Sequence, residues 1–361
     1  MRFCSIKDIK YILVVYILTT LYLLLFTPLT TSEANIIYSS KFTLTNSILN
    51  FLMQFSSNKI VLRFPFFVLS ILSISLFYLY LKSYFKKVED VKLSLFIFIL
   101  TPGFFVSNII INWATIPILL TILLLFSVKY KNRLTIVLII MLLFFTNTAS
   151  FVVYIALFLY LFFKKRDYLI QILLIVAIFL YFYFNRFYIG GVPSGHFLKL
   201  MGIYAVTFSP FYFLAILYAI YRLYKDKDID LLWYISIVSF ILSIIFSIRQ
   251  KILVTDFTPF FIISSLLVVK VFKNSMLIRL KEYRKKYIFL CKSVIFMLLL
   301  ETLIVVLNYP IYIFIGIKLF IIDTNIYTIY NNSQKKEVKC IKDYSNHYKN
   351  LYKYYGFKEC R

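Results

Sequence analysis

The sequence predicts an all-α, polytopic helical membrane protein of about eleven spans. Three observations predict it: the chain is 62% hydrophobic, its apolar runs reach the roughly 20 residues needed to cross a bilayer, and its positive charge alternates from loop to loop. A soluble domain is about half apolar, so a chain this oily needs lipid as part of its solvent.

Taken in order, the runs predict helices near 9–27, 62–85, 92–110, 113–128, 134–149, 151–163, 168–185, 200–222, 231–248, 254–272 and 287–308. The stretches 134–149 and 151–163 are short and are expected to tilt, re-enter the bilayer or merge. Residues 9–27 are span-length and have no small-residue cleavage site, so they are expected to stay as an anchor. Residues 311–322 are too short to cross a ~30 Å core and read as an extension of the last helix or an interfacial segment.

Loop charge tests this layout. With a cytoplasmic N-terminus, the inner loops collect twenty-three Lys and Arg, including Lys82, Lys86, Lys129, Arg133, Arg166, Arg222, Lys270 and Arg279. The outer loops hold seven: Lys41, Lys59, Arg63, Arg186, Lys199, Arg249 and Lys251. This is the positive-inside pattern. It accounts for most of the +25 net charge through anionic inner-leaflet lipid, and it removes the need for a nucleic-acid partner. The expected location is a cell membrane, with the longer loops outside the cytoplasm.

One domain, 1–322, fills most of the chain, and residues 323–361 form a short basic tail expected outside. Cys340 and Cys360 both lie in that tail, where an external position permits a disulfide. The first outer loop, 28–61, is the longest between spans. Its segment Thr45–Phe55 puts Ile48, Leu49, Leu52 and Phe55 on one helical face, with Asn46 and Asn50 on another, as a helix lying flat on the membrane does. The loop 186–199 is rich in Gly and Pro-containing turn signals. There are no internal repeats, matched broken helices or phosphate-binding glycine loops.

Polar residues on the outer side are the candidates for chemistry. Glu33 is the single acid between Asp8 and Glu89; it reads either as a general base in an apolar pocket or as part of a helix N-cap with Ser32. Arg63 reads as a snorkelling cation before Pro65 or as a fixed charge facing a cavity. Arg249, Lys251 and Asp256 cluster in one outer connection, and two cations there suit a lipid phosphate. His196 is a lone loop histidine and supports no metal site. Glu301 lies inside the last span, where a carboxylate is expected to face a cavity or a hydrogen-bonding partner.

The order of these features resembles the GT-C superfamily of integral membrane glycosyltransferases, which includes protein O-mannosyltransferases and lipid A aminoarabinose transferases. The residues carrying the resemblance are Ser32-Glu33-Ala34 after the first span, Arg63-Phe64-Pro65 opening the second, Leu100-Thr101-Pro102-Gly103 in the third, and Arg249 to Pro259 late in the chain. It covers residues 9–308. Where the family often carries a second acid after the third span, this chain has Asn108 and Asn112.

The resemblance implies an inverting transferase that moves a sugar from a polyprenyl-phosphate donor to an acceptor hydroxyl on a surface glycolipid or polysaccharide. In that scheme Glu33 is the base, Arg249, Lys251 and Arg63 hold the donor phosphate, and Asn108, Asn112, His196, Asp256 and Glu301 line the site. No catalytic acid is required, because a phosphate leaves as a stable anion; no cofactor is expected, and a divalent metal stays open without a ligand set in the sequence to support it. A lipid-linked oligosaccharide flippase or other transporter, or a non-catalytic partner in an envelope assembly, is the rival expectation.

Overall fold

The computed structural model describes residues 6–146, 149–165, 167–184, 190, 195–250, 252–307, 310, 326–327, 329–330, 333, 340–341 and 346–359. It is helical, apart from a two-residue parallel pairing in the tail, β1 (Cys340–Ile341) with β2 (Lys358–Glu359). The segment 311–322 and Cys360 lie outside the described residues, as do most of the loop 186–199 and Lys251.

The helices follow the apolar runs closely. They are α1 (Ile6–Phe26), α4 (Lys59–Tyr84), α5 (Val88–Leu100), α7 (Thr115–Lys129), α8 (Arg133–Phe144), α9 (Phe151–Tyr160), α10 (Tyr168–Tyr183), α13 (Leu231–Arg249) and α16 (Lys281–Val306). Among the described residues four helices are long and apolar enough to cross a membrane, and two further bent pairs bring that number to six. The other apolar helices are 10–17 residues long. Hydrophobic runs alone therefore overstate the number of straight, span-length helices.

The sequence shows no matched pair of broken helices; the structure interrupts its helices at several points. α11 (Phe197–Phe208) and α12 (Pro210–Lys225) meet at 101°. α5 stops at Thr101, and α6 (Pro102–Ser107) restarts the run with proline at its first position. α14 (Val254–Ile262) and α15 (Ser265–Ile278) are separated by a milder irregularity at Ile263 and Ser264, and Thr255–Ile278 still runs as one span-length helix. Pro102 and Pro210 each lack the N–H that an uninterrupted helix would use.

Outward faces are apolar along their length. Val14, Leu18 and Leu25 of α1, Ile172, Val176 and Phe179 of α10, and Phe289, Phe296 and Leu303 of α16 are exposed. Their helical spacing makes stripes, as expected where hydrocarbon rather than water is the neighbour.

Connections collect at two ends. At one end Arg133 pairs with Asp167 at 3.1 Å, Lys270 bridges Asp228 and Asp230 at 2.9 Å each, Lys273 pairs with Asp90 at 2.8 Å, and Lys129 bonds Ser83. These are the strongly basic connections. At the other end Leu44 N–H donates to Phe145 O (3.0 Å), Ala149 N–H to Asp256 O (3.2 Å), and Gly190 N–H to Gln250 Oε1 (3.0 Å).

Close approach inside the bundle requires glycine at one point. A Cβ on Gly103 would stand 3.1 Å from Thr207 O, tying α6 to the end of α11. Gly103→Val is expected to cost about 1–3 kcal/mol through overpacking, measurable as a lower melting temperature in detergent, whereas Gly202→Ala, with nothing within 4 Å of its Cβ in the middle of α11, is expected to hold or slightly raise that temperature.

Candidate functional site

The end of the bundle opposite the basic loops is built on α2 (Thr31–Ile37) and α3 (Leu44–Met53). Thr30 caps α2: its hydroxyl accepts from Glu33 N–H at 3.2 Å, and its own N–H donates to Glu33 Oε2 at 2.8 Å. Glu33 is thus the third residue of a capping box, with Thr30 rather than Ser32 as the cap.

Its carboxylate does more than cap. Arg63 Nε donates to Glu33 Oε1 at 2.8 Å and Arg63 Nη2 to Oε2 at 2.7 Å, a two-pronged pair with the fork geometry that favours arginine. Ile111 N–H donates to Oε1 at 2.9 Å. The rest of the guanidinium is taken by Thr27 O (3.0 Å), Thr27 Oγ1 (2.9 Å) and Pro28 O (2.9 Å). Both side chains are essentially fully buried, at 0% and 1% exposure.

This arrangement changes the roles read from sequence. Glu33 presents no open oxygen in a position to take a proton from a substrate, and Arg63 has no N–H left for a phosphate. They tie the end of α1, the start of α4 and the turn at Ile111 into one buried clasp.

Asn108 and Asn112 belong to that turn. Asn108 donates to the Tyr16 hydroxyl. Asn112 Oδ1 accepts from Ala114 N–H at 2.7 Å and Thr115 N–H at 3.2 Å, and its amide donates to Ser107 O at 2.7 Å. Both are buried and shape the entry to α7. The next residue, Trp113, is half-buried, and its indole Nε1 is an unpartnered buried donor.

Lys41 lies 5.8 Å from the Trp113 ring centre and is exposed. It is also the charged group acting on Asp256, whose Oδ2 accepts from Leu253 N–H at 3.2 Å. Lys41 thus stands over Trp113 and within electrostatic reach of Asp256, the three lying on separate stretches of chain. Arg249 is exposed at the end of α13, in the connection leading to Asp256. Neither Lys41 nor Trp113 stands out in the sequence, since a loop lysine and a belt tryptophan are both ordinary there.

His196 stands at the N-cap position of α11 without a side-chain cap bond and is half-buried. Glu301 sits on α16 beside Ser209, away from the clasp.

The tail covers the clasp. Ile326, Tyr327, Ile329, Leu351, Tyr352 and Phe357 pack with Leu29, Ile37, Leu49, Leu62 and Phe66. Leu29 N–H donates to Tyr355 Oη (3.1 Å), Tyr354 Oη to Ser57 O (2.6 Å), and Asn350 Nδ2 to Asn35 Oδ1 (2.8 Å). The tail thus shares an end with the 28–61 loop. α3 sits beneath differently from its sequence pattern: Asn46 turns inward to Ser39 and Lys41 O, and Phe51 and Phe55 point outward.

Burial pushes the Tyr354 hydroxyl up to about 12, and lifts those of Tyr355 and Tyr38 as well. A raised folded-state value means the neutral phenols are favoured by folding. Their contribution is complete below the ordinary value near 10 and is lost as pH rises towards 12. Limited proteolysis of the tail is expected to accelerate between about pH 10 and 12, and Tyr354→Phe to weaken that dependence.

No family model, curated protein or solved structure matches this chain.

Proposed function

We propose that this chain is a GT-C-type membrane glycosyltransferase of about eleven spans, working at the end of the bundle that carries the 28–61 loop, on the side away from the cytoplasm. The grouping of Lys41, Trp113 and Asp256 carries the reading. A carboxylate, a cation and an aromatic face with a free indole N–H are the parts needed to hold a sugar and a phosphate and to take a proton. The order of the Ser32-Glu33-Ala34, Arg63-Phe64-Pro65 and Leu100–Gly103 elements supports the family, and the apolar outer faces suit a polyprenyl-phosphate donor.

In this reading Asp256, not Glu33, is the base. It accepts the proton of the acceptor hydroxyl as that oxygen attacks the anomeric carbon. The bond from that carbon to the phosphate oxygen breaks, its electron pair leaves with the polyprenyl phosphate, and Lys41 and Arg249 balance the departing charge. Lys251 belongs to the same connection. The anomeric centre inverts, and the leaving group needs no acid because it is already a stable anion. Glu33 and Arg63 are positioning residues: through Ile111 they hold the turn that ends in Trp113. The acceptor is a surface glycolipid or polysaccharide.

The test is a surface-glycan profile by mass spectrometry with the gene deleted and then restored. Loss of one sugar residue from a glycan, recovered on restoration, is expected. An unchanged profile, or accumulation of a complete lipid-linked oligosaccharide, would instead support a non-catalytic partner or a flippase.

A further inference from the structure

Three chain interruptions lie together inside the bundle. Thr101–Pro102 ends α5, Ser209–Pro210 joins α11 to α12, and Ile263–Ser264 separates α14 from α15. Gly103 brings the first against Thr207 of the second, and the Tyr212 hydroxyl of α12 reaches towards Thr101 and Ser264. Thirteen residues separate Ser209 from Arg222, and thirteen separate Thr101 from Val88. At 1.5 Å per residue these two breaks stand about 20 Å along their helices from the basic end, and Ser264 stands about 9 Å along α15 from Lys270.

Oxygen atoms without partners are concentrated there. Ser209 Oγ, Tyr212 Oη, Ser264 Oγ, Ser265 Oγ and Glu301 Oε2 are buried and make no hydrogen bond of good geometry, with Tyr212 turned towards Thr101 and Ser264 and Glu301 towards Ser209; a polar atom left unbonded in such surroundings costs about 1–3 kcal/mol. Ser209, Tyr212, Ser264 and Ser265 are each 0% exposed. Ser209 also holds a positive φ of 65° without being glycine, a strained state that persists where the surroundings impose it. Glu301 stands beside Ser209, and none of the described salt bridges reaches it.

We propose that this junction binds one monovalent cation of sodium size, held by the Glu301 carboxylate and the hydroxyls of Ser209, Tyr212 and Ser264. The donor set is hard oxygen with one negative charge, which suits an alkali cation and does not suit a soft metal. A bound cation neutralises a carboxylate that otherwise lacks a counter-charge in apolar surroundings, and it occupies the lone pairs the protein leaves open. Broken helices inside an apolar layer supply such oxygens where a continuous helix would hide them. The site is separate from the Lys41–Trp113–Asp256 group and does not depend on the transferase reading.

The test uses the purified full chain in detergent, at fixed ionic strength and pH, with sodium exchanged for N-methylglucamine. Sodium is expected to raise the melting temperature by at least about 3 °C, and radioactive sodium to bind at one ion per chain. Glu301→Gln is expected to abolish both, and the milder Ser264→Ala to weaken binding at least tenfold, which keeps the test decisive should the first variant fold poorly. Equal melting temperatures in the two salts, or unchanged sodium binding in Ser264→Ala and Glu301→Gln, would overturn the assignment.

Discussion

Arg63→Met is expected to destabilise the folded chain by about 3–5 kcal/mol, because it strands the Glu33 carboxylate at 0% exposure without its counter-charge. The loss should show as a melting temperature lower by about 10 °C in detergent. Glu33→Gln keeps one carbonyl for these donors but strands the Arg63 guanidinium at 1% exposure, so its cost should be of similar size. The double variant Glu33→Gln, Arg63→Met should recover a large part of the single Arg63→Met loss, since removing both charges from a buried pair is far less costly than removing one. Additive losses would show that the pair does not act as a unit.

Asp256→Asn is expected to abolish sugar transfer while leaving the melting temperature within about 1 °C of the parent. Among the described residues its carboxylate makes one hydrogen bond, to Leu253 N–H at 3.2 Å, and an amide oxygen can keep that bond. An amide cannot accept the acceptor's proton at neutral pH, and general-base catalysis is worth about a hundredfold to ten-thousandfold. Glu33→Gln separates the two roles. Its transfer should fall through a displaced Trp113 turn and recover on cooling as the fold tightens, whereas Asp256→Asn should stay inactive at every temperature.

Much of the helix layout was legible in the sequence. Continuous apolar runs specify helices in lipid because every backbone polar group must be satisfied within its own segment. Thus α4, α7, α10 and α13 begin and end close to the expected positions. The interruptions were less legible: Pro102 and Pro210 mark permitted breaks, but Ser209 gives no sign of the 101° bend it occupies. The clasp was half visible. Glu33 and Arg63 stood out as rare charges on the side expected to face outward, yet nothing local says that residues thirty positions apart pair with each other.

The remaining differences have the same origin. Asn108 and Asn112 read as substitutes for a missing acid, and the structure uses them as a tyrosine partner and a helix cap. Lys41 looks ordinary until tertiary folding sets it over Trp113 and within electrostatic reach of Asp256. The tail's place over Leu29 rests on a contact spanning 326 positions, beyond the reach of any periodicity.

The most direct measurement is the surface-glycan mass spectrum of a gene-deleted strain restored with the parent, Asp256→Asn or Glu33→Gln, each confirmed in the membrane at equal amount. The account predicts full recovery of the missing sugar with the parent, none with Asp256→Asn, and partial recovery with Glu33→Gln that improves at lower growth temperature. Full recovery with Asp256→Asn would contradict it.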